Sequence, residues 1–214
     1  MNAVGAVGWK YPFKPLKMTE TSFAKMDVSG YTMEKKYDGW RAIVVSGTPT
    51  TMWTREKVHI EMPENVGEQL AGLNLPGGTI LDGEIWNPLK RGSWRHDRKV
   101  RCKLTVWDIV QAAGRDVSGE PIEERRRILE SLLDEGSEDV GRVMVEDASR
   151  KTFDRILGEV KEFREENAIR SGFVHGVVLK RRGSPRRDHA TRCVEHCDWL
   201  KMIFDGMSGW APRL

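Results

Sequence analysis

Long hydrophobic runs are missing from this chain, and their absence narrows what it can be. No apolar stretch approaches the roughly 20 residues that a membrane span requires, so the sequence reads as soluble. The first ten residues lack a basic stretch followed by an apolar core, which leaves no visible secretory signal and makes a cytoplasmic address the default. Cysteine is also scarce. Cys102, Cys193 and Cys197 form an odd set with no disulfide framework, which suits a reducing compartment. His189, Cys193, His196 and Cys197 crowd together, but their spacing matches no usual zinc pattern, and adjacent His196 and Cys197 are poorly disposed to share one tetrahedral ion. No internal repeat and no low-complexity linker divides the chain.

What is present is charge, and it is clumped. The 214 residues, 31% of them charged with a net of only +3, are enough for one domain with a sizeable core. One basic cluster spans residues 90–103, with Lys90, Arg91, Arg95, Arg98, Lys99, Arg101 and Lys103 interleaved with Trp94 and His96. A second spans 180–187, with Lys180, Arg181, Arg182, Arg186 and Arg187. A single such cluster is as well read as a solvated face; two of them point toward a phosphate backbone.

Periodicity supplies the elements. Tyr31–Lys36, Arg41–Ser46 and Thr51–Arg55 read as strands, with a hairpin connection at residues 47–50. Thr79–Trp86, Lys103–Val110, Arg142–Glu146, Gly176–Lys180 and Asp198–Phe204 read likewise. Pro63–Leu73 and Pro121–Leu133 carry helical spacing, the second stopping at Gly136, and Phe153, Ile156, Leu157, Val160 and Phe163 mark another amphipathic helix. The arginines Arg125 to Arg127 are expected on the surface of their helix. Residues 11–28, broken by Pro12 and Pro15, are expected to form an irregular arm.

The chemistry concentrates in Glu34-Lys35-Lys36-Tyr37-Asp38-Gly39-Trp40-Arg41, between two of those strands. An amine attacks phosphorus only when unprotonated, and lysine ordinarily titrates near ~10.4, so a nucleophilic Lys36 needs desolvation or cationic neighbours. Lys35 and Arg41 are the neighbours at hand. Lys-x-Asp-Gly is equally ordinary turn chemistry. Farther on, strand alternation places Asp82 and Glu84 on one face, and Trp107 offers a flat surface suited either to a core or to stacking on a base.

Six ordered segments resemble the nucleotidyltransferase domain of ATP-dependent DNA ligases, whose relatives include RNA ligases and capping enzymes. Lys36-Tyr37-Asp38-Gly39-Trp40-Arg41 is similar to the adenylated-lysine motif and Thr54-Arg55 to the arginine motif. Leu81-Asp82-Gly83-Glu84 resembles the acidic motif and Val106-Trp107-Asp108-Ile109 the aromatic one. Gly176-Val177-Val178-Leu179-Lys180 and Trp199-Leu200-Lys201 resemble the last two, and the helix from Pro121 is similar to one common in DNA ligases. The resemblance implies an α+β, ATP-grasp-like fold in which two twisted, mainly antiparallel sheets form a nucleotide cleft flanked by helices. It implies a DNA ligase in which Lys36 carries AMP from ATP to a 5′-phosphate before a 3′-hydroxyl displaces it. It further implies Glu34 near the adenine, Trp107 stacked on it, and Arg41 and Glu84 at the ribose. Arg55, Lys180 and Lys201 would neutralise phosphate, and Mg2+ or Mn2+ would be bound at Glu84 and position 175.

Two positions depart from that pattern: His175 stands where an acid is usual, and Ile203 where a second lysine is usual. Imidazole is a poor ligand for magnesium, which shifts the expectation toward manganese. Residues 1–205 are expected to form the nucleotidyltransferase domain and 206–214 a tail, with no oligonucleotide-binding barrel after it. Nicked duplex DNA would then be held by the two basic clusters, a helper protein possible in place of the barrel and a monomer expected. The competing readings are an RNA ligase or capping-type transferase, and a nucleic-acid-binding module with weakened chemistry.

Overall fold

The structure, a computed structural model, describes residues 9–87, 99–135, 138–166 and 174–204. Expectations that fall on residues 90–98, on Gly136 and on the tail lie outside them. Twelve strands and four helices are described, arranged as two mainly antiparallel sheets with helices packed outside, an α+β architecture.

The smaller sheet has the order β1 (Lys14–Lys17), β12 (Glu195–Ile203), β11 (Val174–Arg181), β2 (Tyr31–Tyr37), β10 (Val145–Asp147). The larger runs β5 (His59–Ile60), β4 (Thr51–Trp53), β3 (Trp40–Val45), β6 (Ile80–Trp86), β7 (Lys103–Ala112), β8 (Arg115–Asp116), with β9 (Val140–Arg142) parallel to β7. The chain passes between sheets in the two residues separating β2 from β3. Gly39 makes that step possible: a Cβ there would overlap the Ile85 carbonyl and sit 2.8 Å from the Trp86 Cβ. No other residue fits so close an approach.

Each sheet has its own apolar side. Met33, Val177, Leu179 and Met202 pack with Phe23 of α1 (Glu20–Lys25) and with Phe153 and Ile156 of α4 (Arg150–Glu166). Ala42, Val44, Leu81, Leu104 and Val106 pack with Val66 and Leu70 of α2 (Glu64–Gly72) and Leu129 of α3 (Ile122–Glu130). Burying each such large side chain contributes about 1.5–3 kcal/mol. Alternation then sends Glu34, Lys36, Asp82, Glu84, Lys180 and Lys201 of the same strands to the opposite faces.

Three expectations change. Residues 11–28 are not an irregular arm: they supply β1, parallel to β12, and the short helix α1. The strand expected over Arg142–Glu146 is two strands, β9 on the larger sheet and β10 on the smaller, because the chain switches sheets between them. Arg125 is not a surface residue; its side chain is fully buried against Asp108. It sits three residues after buried Ile122 and four before buried Leu129, on the inner stripe of α3.

Candidate active site

β2 carries the first part of the site. Met33 and Lys35 face α4, where Lys35 pairs with Glu159 at 2.7 Å; Glu34 and Lys36 project from the other face, about 7 Å apart along the strand. Lys35 is therefore not the neighbour that acts on Lys36. The cation that shares its face is Lys201 of β12, whose ammonium is held below the ordinary lysine range first by burial and also by the charge of Lys36. Lys36 Nζ has a long contact of 3.4 Å to the Tyr37 carbonyl and no ion pair among the described residues. Lys201 has one loose partner, Glu195 at 3.7 Å.

Across the turn, Glu84 Oε1 accepts the Gly39 N–H at 2.9 Å. Burial pushes the Glu84 carboxyl up to about 7, against the opposing pull of Lys36, the Gly39 amide and Arg41, while Asp38 reinforces the rise. His175 lies near Asp38, Nδ1 to Oδ1 3.8 Å. Its position comes from a register shift between Val174 and Gly176 in their pairing with Tyr37 and Lys36, which makes His175 the extra residue of a β-bulge. Lys36, Lys201, Glu84, Asp38 and His175 thus share one end of the cleft.

The other end is apolar and already neutralised. Glu34 pairs with Lys180 at 2.8 Å; the ammonium also donates to the Trp107 carbonyl at 3.0 Å and lies 4.0 Å from the Trp199 ring centroid. Burial pushes Glu34 up and Lys180 down, each opposed by the other's charge. Trp107 packs with Phe13, Ile122 and Trp199. It too is a bulge residue, since Asp82 pairs with Asp108 and Gly83 with Val106, leaving Trp107 extra.

Between the ends lies a clamp of buried charge. Arg41 grips Asp82 through Nε at 2.9 Å and a terminal nitrogen at 2.6 Å, donates to the Phe13 carbonyl at 2.5 Å, and its guanidinium stands 5.7 Å from the Trp107 ring centroid. Arg186 reaches Asp82 at 2.9 Å, Asp108 at 3.0 Å and Asp188 at 3.0 Å, while Arg125 holds Asp108 at 2.9 Å. Burial alone would raise Asp82 and Asp108; the arginines outweigh it and hold both below the usual carboxylate range. The sequence placed Arg186 in a DNA-facing basic cluster, Arg125 on a helix surface and Asp108 only as part of the aromatic motif, and it did not single out Asp188; the structure instead buries all four in one ion-pair clamp.

Arg55 stands apart at the rim, about half exposed and paired with its neighbour Glu56. The cluster at 180–187 divides: Lys180 and Arg186 are buried in ion pairs, whereas Arg181, Arg182 and Arg187 are exposed. Among the described part of the first cluster, Arg101 pairs with Glu138 and Asp139. No helix among the described residues is long and apolar enough to cross a membrane.

A lysine and two acids gather where the chain crosses between the two sheets, with Trp107 and the Glu34–Lys180 pair alongside, and the fold is that of a nucleotidyltransferase domain. The family follows from comparison: residues 13–202 match the model described as ATP dependent DNA ligase domain, and the chain belongs to that family. It is 25% identical over 193 residues to the SPbeta prophage-derived DNA ligase-like protein LigB of Bacillus subtilis (strain 168), covering 82% of this chain but 65% of that relative. Among solved structures, mycobacterial DNA ligase D complexed with ATP and MES is similar with TM-score 0.64 at 20% identity, over 91% of this chain and 60% of that one. The ATP-dependent DNA ligase from bacteriophage T7, in complex with ATP, is similar with TM-score 0.56 at 15% identity, over 91% and 69%. A Lig E DNA ligase, described as binding DNA with a minimal scaffold, is similar with TM-score 0.59 at 15% identity, over 90% and 68%. At these identities the structural likeness speaks for the fold.

Proposed function

We propose that this chain is an ATP-dependent DNA ligase that seals nicks through AMP carried on Lys36. The observation that supports this most is the position of Lys36: an amine without an ion pair among the described residues, facing a cleft beside a second lysine and a buried acid. The Lys36 amine attacks the α-phosphorus of ATP, forming a P–N bond as the P–O bond to pyrophosphate breaks. AMP then passes from the lysine to the 5′-phosphate of a nick, and the 3′-hydroxyl displaces it as the strand is joined. Charge neutralisation and positioning carry such phosphoryl transfers.

In this reading the adenine enters the slot beside Trp107, with Glu34 at its edge and Arg41 toward the ribose. Lys201 and the rim residue Arg55 neutralise phosphate. Lys180 serves by holding Glu34, since its ammonium is already committed to that carboxylate and to the Trp107 carbonyl. Glu84, Asp38 and His175 give two carboxylates and an imidazole in one neighbourhood. The carboxylates suit magnesium or manganese and the imidazole is a poor partner for magnesium, so this reading takes manganese in preference. Such an ion would supply added charge neutralisation at the phosphates. The exposed Arg181, Arg182 and Arg187 favour DNA as the substrate backbone.

Incubation of the protein with α-labelled ATP and manganese tests the reading. A covalent AMP adduct on wild type, absent in Lys36→Ala, is expected, together with sealing of nicked duplex DNA. Sealing that survives Lys36→Ala would sink it.

A further inference from the structure

At the opposite end of β12 from Lys201, three different donor types converge: the imidazole of His196, the thiol of Cys197 and the carboxylate of Asp198. Their ligand atoms all lie within 4.8 Å of one another. In a regular strand this could not happen, because Cys197 would point away from its two neighbours. The strand is not regular here. Lys14 and Pro15 of β1 pair with Glu195 and His196, but the next residue, Leu16, pairs with Leu200. Residues 197–199 are looped out of that ladder, and the bulge turns Cys197 toward the same side as the other two. The chain-adjacency objection that the sequence raises against a shared ion is removed by this bulge.

The geometry points to a site for a zinc ion, held by His196, Cys197 and Asp198 with water as the fourth ligand. His196 Nδ1 stands 3.3 Å from Asp198 Oδ2. Two donors about 2.0 Å from one tetrahedral zinc are separated by about 3.3 Å, so the pair already has the edge length such an ion needs. Nδ1 also accepts the Asp198 N–H at 3.2 Å, which marks it as the nitrogen bearing the lone pair; the ion takes that lone pair in place of the amide. Arg187 donates to Asp198 Oδ2 at 3.3 Å and Arg181 lies 3.7 Å from Oδ1. An outer hydrogen bond to a ligating carboxylate is the usual arrangement around a bound metal. Soft sulfur with imidazole selects zinc over magnesium, so this site and the one at Glu84 draw on different ions.

Bound there, zinc would fix the bulge that contains Trp199 and precedes Lys201, next to the edge formed by Phe13 and Pro15. The inference is independent of the ligase reading, because zinc binding requires neither ATP nor Lys36.

The test is titration of the chelator-treated full chain with Zn2+ alone, and with Co2+ as a spectroscopic probe. One zinc per chain, a rise in thermal midpoint, and a thiolate-to-cobalt charge-transfer band are expected. Cys197→Ser should remove the band and weaken zinc binding more than roughly 100-fold, beyond the usual loss from an outer-shell partner. Cys193→Ser should leave both unchanged. Cys197 is exposed, so the serine variant should keep its metal-free thermal midpoint, and His196→Ala provides a second variant with the same expected loss. Absence of a thiolate band in wild type, or equal zinc binding by Cys197→Ser, would overturn the site and leave Asp198 as an ion-pair acceptor for the two arginines.

Discussion

Asp82 and Glu84 are two residues apart on one strand face, both buried, and their carboxyls are shifted in opposite directions. Asp82 is gripped by Arg41 and Arg186 and is held below the ordinary range. Glu84 has a backbone amide and the more distant charges of Lys36 and Arg41, and burial carries it up to about 7. Equal burial therefore yields two kinds of acid. The first has its charge matched within the protein and joins structural parts; the second has no side-chain cation bonded to it among the described residues, and burial favours its neutral form. The same division separates Arg186, buried among three acids, from Lys36, which has no ion pair among the described residues.

The sharpest way to break this comparison is to remove one cation from each side. Lys36→Ala should abolish the AMP adduct while leaving stability within about 0.5 kcal/mol, as expected for a partly exposed side chain without an ion pair among the described residues. Arg186→Ala should do the reverse kind of damage, costing about 3–5 kcal/mol because Asp82, Asp108 and Asp188 lose a shared partner inside the protein. Denaturant unfolding monitors the second and intact mass the first. If Arg186→Ala left the midpoint unchanged, the clamp would have no structural role. Acid sharpens the same point. Asp82 and Asp108 have depressed folded values, so their contribution is present above their ordinary 3.8 and is lost as pH falls below it.

Glu84 should respond to pH in the opposite sense. Its folded value of about 7 exceeds the ordinary 4.5, so the folded protein holds the extra proton between those limits. Stability from this group is full below about 4.5 and declines as pH rises to about 7, by roughly 3 kcal/mol at the upper limit. Glu84→Gln should remove that decline, making the variant the more stable protein at pH 8 and its equal at pH 4. Parallel pH profiles for the two proteins would show that Glu84 is not held as a neutral acid.

Sequence alone showed which segments form strands and which residues sit at their charged faces, because alternation and helical spacing are local properties. Lys36, Glu84 and Lys201 were picked out on those grounds together with the family resemblance, and the structure brings them together; the comparisons establish the family. Three features were not legible. The positions of His175 and Trp107 depend on β-bulges, where one inserted residue reverses the facing of a side chain without any mark in the pattern. The switch from β9 to β10 depends on which strand edges are open, a property of the assembled sheets. The arginines at 180–187 look alike in a charge count, yet Arg186 meets three acids that lie far from it in the chain.

That last distinction yields the mildest and most specific prediction. Arg182 and Arg187 are exposed; Arg182 pairs with the exposed Asp147, where an ion pair contributes about 0–1 kcal/mol, and Arg187 with the buried Asp198, which also has Arg181 nearby. Alanine at either position should therefore cost little folding stability, least at position 182. A phosphate contact made by such a residue displaces about one condensed counterion from duplex DNA, so each variant should lower the slope of log affinity against log salt by about 1. The loss should be similar for nicked and intact duplex, because a backbone contact does not read the break. A slope unchanged in the double variant would mean that DNA approaches along another face, and the comparison would then rest on the buried arginine alone.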